Sequence, residues 1–87
     1  MSPELSRFFG VIISMNTLDH PPPHFHARYA EYEATFSIED GSLLKGNLPP
    51  RVRGFVTEWA VIHQKELQEN WDRMQNHQTS LSIPPLE

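Results

Sequence analysis

The chain has no cysteine among its 87 residues. Disulfides and thiolate metal sites are thereby excluded, and any bound metal must be held by imidazole and carboxylate. Long apolar runs are missing too, since nothing approaches the roughly 20 residues of a membrane span. The apolar stretch inside MSPELSRFFGVIISM is short and interrupted, and no small-residue cleavage site follows it, which points to a soluble cytoplasmic protein. Positive charge is scarce: 7 Lys and Arg stand against 11 Asp and Glu, for a net charge of −4 with neutral histidines. Nucleic-acid binders usually carry clustered Lys and Arg, so the composition disfavours that class beyond a small local basic face.

What the chain does contain fits one small globular domain over residues 1–87. Hydrophobic residues make up 38% and charged residues 21%, a balance that permits a core. Two Trp, two Tyr and five Phe supply its bulky anchors. A chain of this length buries only roughly 60–65% of its unfolded surface, so stability is marginal and a partner would add to it.

The hydrophobic pattern predicts an α+β fold. Residues 7–15 are apolar on both alternating faces, as in a central strand covered on both sides. Residues 16–23 form a loop stiffened by Pro21, Pro22 and Pro23. The segments 24-HFHARYA-30 and 32-YEATFSI-38 alternate with period two. A two-residue turn at Ala30 and Glu31 pairs Tyr29 with Tyr32, Arg28 with Glu33, Ala27 with Ala34, His26 with Thr35, Phe25 with Phe36 and His24 with Ser37. The pairs then sort into one apolar and one polar face, and a slip by one residue would scramble both. The turn itself is poor, because neither Ala30 nor Glu31 favours positive φ. Asp40-Gly41 is a stronger turn signal and leads into a short strand, 42-SLLKG-46. From about Pro50 to Gln75 the spacing becomes helical, with Val52, Val56, Trp59, His63, Leu67, Asn70 and Met74 on one stripe. The expected architecture is an antiparallel sheet of three to four strands over residues 7–46, with one long helix over about 50–75 packed on its apolar face. The tail after residue 75 reads as extended, with a short edge strand at Leu81 to Ile83.

Chemistry concentrates in 19-DHPPPHFHAR-28. His24 and His26 stand two apart on a strand, so both rings project from one face, with His20 across the proline loop. Three readings compete. His20, His24 and His26 are a ligand set for Zn, Ni or Fe, with Asp19 orienting a ring. Alternatively, His24 and His26 are the acid–base pair of a metal-independent ribonuclease. Arg28 would then hold the phosphate, and Thr35 and Ser37 would position it. The plainer reading is a solvated sheet face on which Arg28 and Glu33 form a cross-strand ion pair. His63 with Glu66 makes an H-x-x-E half-site for a metal, but on the apolar stripe beside Trp59 a hydrogen-bonded core histidine is favoured. His77, in a polar tail, receives no role. The residues require no cofactor; if one is held, Zn or another transition metal fits them.

The segments 7-RFFGVIISM-15, 19-DHPPPHFHARYAEYEA-34, 48-LPPR-51 and 58-EWAVIHQKELQENW-71 resemble a family of small bacterial proteins, domain of unknown function 4160. The resemblance runs from about Ser6 to Trp71. Its motif positions are Asp19, His20, Pro22, Pro23, His24, Phe25, His26 and Ala27, then Glu58, Trp59, His63, Glu66, Leu67 and Trp71. Asn16 and Thr17 depart from an aromatic common in the family, and Ala30 departs from a glycine. Such proteins are often encoded beside a second small protein, domain of unknown function 2442, in pairs that look like toxin–antitoxin modules. The resemblance therefore implies a protein partner encoded by a neighbouring gene, and binding of that partner as the main function.

Overall fold

Alternation of apolar and polar residues in the two middle strands sets the sheet. The computed structural model describes residues 3–87. Its elements are β1 (Glu4–Phe8), β2 (Val11–Ser14), β3 (His24–Tyr29), β4 (Tyr32–Ser37), β5 (Leu43–Gly46), α1 (Pro50–Ile62) and α2 (Gln64–Gln75). The five strands pair antiparallel in sequential order. β3 and β4 adopt the register read from the pattern, from His24 opposite Ser37 to Tyr29 opposite Tyr32. Phe25, Ala27, Ala34 and Phe36 are accordingly buried, and the Phe25 and Phe36 rings stack at 5.6 Å. Ala30 turns the chain with φ 52°, a conformation that an alanine adopts at some cost. Asp40-Gly41 does form the next turn, with Gly41 at φ 74°.

The N-terminal segment differs from the single central strand expected over residues 7–15. It is a hairpin of β1 and β2 turning at Phe9 and Gly10, whose φ values of 49° and 81° are both positive, as a tight primed turn requires. The sheet therefore starts at Glu4 and has five strands rather than three to four. The turn was hidden because a phenylalanine occupies a position normally left to Asn, Asp or Gly. Phe9 sits at the tip, 53% exposed, and its ring leans on Phe55 at 5.0 Å.

The helical segment is likewise divided. α1 starts with Pro50 in its first turn, where a missing N–H costs nothing. It ends at His63, whose backbone (φ −111°, ψ 26°) separates it from α2, so two helices replace the one expected. Side chains hold this break. Gln64 donates to the carbonyls of Ile38 and Glu39 at 3.1 and 2.6 Å, tying the start of α2 to the turn that follows β4. Glu66 reaches back to His63 Nδ1 at 2.6 Å. α2 closes with His77 in the left-handed region (φ 60°), while Gln78 N–H donates to Arg73 O at 2.8 Å. The buried residues Val52, Val56, Trp59, Leu67, Asn70 and Met74 follow the stripe read from the sequence. No helix among the described residues is long and apolar enough to cross a membrane.

Trp59 is the centre of the core, fully buried, with Phe8 and Phe25 at ring distances of 5.5 and 5.8 Å. Its indole N–H donates to Pro84 O at 2.9 Å, so the C-terminal segment closes over it. Leu81 to Ile83 does not form the expected edge strand, although Ile83 N–H donates to Leu5 O at 2.8 Å beside β1. The buried Asn70 amide clamps the same segment: Nδ2 donates to Leu81 O at 2.9 Å and Oδ1 accepts from Leu81 N–H at 2.7 Å. Asn70→Ala should therefore lower stability by about 2–4 kcal/mol, because it leaves both Leu81 backbone groups without their partner. Urea denaturation monitored by Trp fluorescence checks this; a loss below about 0.5 kcal/mol would show the clamp to be dispensable.

Candidate metal centre

The loop between β2 and β3 is fixed from several sides. Three prolines restrict its backbone, and Gln75 Nε2, from the end of α2, donates to Asp19 O at 2.9 Å. Asn16 Nδ2 donates to Asp19 Oδ2 at 3.3 Å, and His20 N–H donates to Asp19 Oδ1 at 2.9 Å. The Asp19 carboxylate is thereby aimed at the first residues of β3. Period-two geometry turns the rings of His24 and His26 to the same face, 5.2 Å apart and edge to face. Trp71 from α2 packs on His24 at 5.2 Å. Side-chain exposure is 12% for His24, 31% for His26 and 22% for Asp19, so the cluster is sheltered yet reachable.

Each ring is oriented through its Nδ1 side. His24 Nδ1 lies 2.7 Å from Pro22 O, an acceptor, so Nδ1 carries the hydrogen. His26 Nδ1 lies 3.2 Å from Thr35 Oγ1, while its Nε2 accepts from Asn16 Nδ2 at 3.2 Å. Both Nε2 atoms face Asp19 Oδ2, at 2.9 Å from His24 and 3.6 Å from His26. One ligand atom from each of Asp19, His24 and His26 lies within 4.8 Å of the other two. Backbone and hydroxyl partners on Nδ1 with Nε2 turned inward are the arrangement in which metal-ligating histidines are held.

Burial by itself would raise the Asp19 pKa. Hydrogen bonds from His20 N–H, His24 and Asn16, with the charge of His24, outweigh it and lower the pKa from 3.8 to about 2.

The residues singled out in the sequence separate into groups. His24 and His26 come together as the shared strand face implies, and Thr35 supports His26. His20 is exposed and gives the cluster only its backbone N–H, so Asp19, first taken as an orienting residue, replaces it in the donor set. Its position five residues before His24 was the available signal. Arg28 is exposed and lies opposite Glu33, but no ion pair joins them among the described residues. Ser37 is buried at the end of β4, opposite His24. His63 and Glu66 stay apart from the cluster, with the His63 ring against Trp59 at 5.4 Å. Asn16 and Gln75, which fix the loop, carried no sequence signal.

A small α+β domain with one Asp-His-His cluster at the mouth of a proline loop is the class of protein that fold and site define. The chain belongs to the family described as Domain of unknown function (DUF4160), whose model matches residues 10–72. Comparison with curated proteins and with solved structures found no match.

A carboxylate whose folded pKa lies below its unfolded value contributes stability above the unfolded value and loses it as pH falls through the folded one. The stability owed to Asp19 should thus be complete above about pH 4 and disappear towards the folded pKa of about 2. Urea midpoints for wild type and Asp19→Asn between pH 5 and pH 2 should converge as pH falls. A gap constant over that range contradicts the assignment.

Proposed function

We propose that this domain binds a divalent transition metal through Asp19, His24 and His26, and works in the cytoplasm as one member of a two-protein, toxin–antitoxin-like pair. One observation carries the metal reading. Tetrahedral ligands about 2.0–2.1 Å from Zn(II) stand about 3.4 Å from one another, and Asp19 Oδ2 lies 2.9 and 3.6 Å from the two Nε2 atoms. Two imidazoles and one carboxylate also leave coordination positions for an exogenous ligand, as in catalytic Zn sites and non-haem Fe(II) sites. The acid–base reading of His24 and His26 has less support. Pro22 O and Thr35 Oγ1 take up both Nδ1 atoms and both Nε2 atoms converge on the Asp19 carboxylate, an arrangement that suits a shared ion better than a proton relay to substrate.

Purified protein should take up one Zn(II) or Ni(II) per chain. Saturating metal at 100 times its Kd should add about 2.7 kcal/mol of stability and raise the melting temperature. Asp19→Asn, His24→Ala and His26→Ala should each abolish the shift. Elemental analysis without bound metal, together with an unchanged melting temperature on adding Zn(II) or Ni(II), removes this reading.

The partner reading is favoured by Val61 and Ile62, adjacent on the last turn of α1 and 74% and 60% exposed. Two neighbouring apolar side chains left bare by the fold suit a protein interface better than solvent. Co-expressed with the product of its neighbouring gene, the chain should co-purify at micromolar concentration, and Val61→Asp with Ile62→Lys should weaken association at least tenfold. Absence of a complex by size-exclusion chromatography at that concentration rejects the pair.

A further inference from the structure

The face of the sheet opposite Trp59 carries a depression of about 680 Å³, within the roughly 300–1,000 Å³ of small-ligand sites. The strand registers lay two rows of residues across its floor. One row runs Glu4, Ser14, His26, Thr35 and Lys45 over all the strands; the other runs Arg7, Ile12, Arg28 and Glu33. His26 belongs to both features, since its Nε2 faces Asp19 while the residue lines the depression. A strand spacing of about 4.8 Å and a rise of about 3.4 Å per residue place Lys45 about 10 Å and Arg28 about 7 Å from His26, backbone to backbone. Both side chains are long enough to meet an anion beside the His26 ring.

The charges in this depression are unevenly used. Arg7 is held by Glu4 at 2.7 Å, whereas Arg28 and Lys45 make no ion pair among the described residues. A chain of net charge −4 thus exposes two uncommitted cations next to its candidate metal ligands. Guanidinium offers a planar fork to two phosphoryl oxygens, and ammonium supplies a point charge. No Phe, Tyr or Trp lines the depression, so it lacks the stacking platform of single-stranded nucleic-acid grooves.

We infer that this depression, resting on the metal-binding reading above, is the binding site for a small hydroxylated phosphomonoester such as a sugar phosphate. Arg28 and Lys45 take phosphoryl oxygens, and one further oxygen completes the coordination of the metal held by Asp19, His24 and His26. Glu33, beside Arg28, accepts from a hydroxyl group of the ester.

Titration calorimetry of the full chain, zinc-loaded and metal-free, tests this with inorganic phosphate, ribose 5-phosphate and an oligouridylate. Ribose 5-phosphate should bind the zinc-loaded chain more tightly than either alternative. Arg28→Gln with Lys45→Gln, both exposed positions, should weaken its binding at least tenfold and leave zinc affinity unchanged. Glu33→Gln should weaken ribose 5-phosphate but not inorganic phosphate. Binding indifferent to the double variant, or no binding in either form, overturns the inference, and so does a preference for the oligouridylate. If the chain takes no zinc but phosphate binding still depends on Arg28 and Lys45, the metal reading falls and the phosphoryl site stands.

Discussion

Everything in this molecule depends on the register between β3 and β4. Its six residue pairs put Phe25 and Phe36 beneath Trp59 and turn His24, His26, Arg28 and Thr35 to the opposite side. Side chains alternate strictly along a strand, so a slip of β3 by one residue would expose Phe25 and bury two imidazoles and a guanidinium. The core and the candidate site are therefore not separate achievements of the fold. The same apolar burial that stabilises the sheet decides which polar groups become neighbours.

Helices and loop refine that placement from outside the sheet. α2 is useful to the site because it is not a smooth continuation of α1. The break at His63, held by Gln64 and Glu66, lets Trp71 and Gln75 meet His24 and the backbone of Asp19. The motif residues Trp59, His63 and Glu66 thus form one structural unit around core and break. Asp19, His24 and His26 form the other unit, oriented by polar partners and, at His24, by the Trp71 ring.

How much of this was legible depended on whether a residue obeyed its local preference. Period-two patterning gave away β3, β4 and the pairing between them, and helical spacing gave away the stripe from Val52 to Met74. Phe9 concealed a turn by taking a positive φ that its side chain disfavours. The break at His63 has no proline or glycine to announce it, and it exists because of contacts with the turn after β4 that are distant in sequence. In the candidate site, strand alternation alone brought His24 and His26 together. Choosing between Asp19 and His20 required the path of the loop, which Asn16 fixes through a local hydrogen bond and Gln75 through one from the far end of α2.

The closure of residues 81–86 over Trp59 has a consequence for the order in which this chain can fold during synthesis. Sheet and helices are complete by Gln75, yet the carbonyl that accepts from the Trp59 indole belongs to Pro84, and Ile83 and Leu86 are themselves buried. A nascent chain that has released only the helices holds its central tryptophan under an open roof, with apolar surface bare to whatever is near the ribosome. Domains generally fold as units once enough chain has emerged. For this one the decisive segment is made last among the residues described, so the hydrophobic core closes only when synthesis has passed the strap.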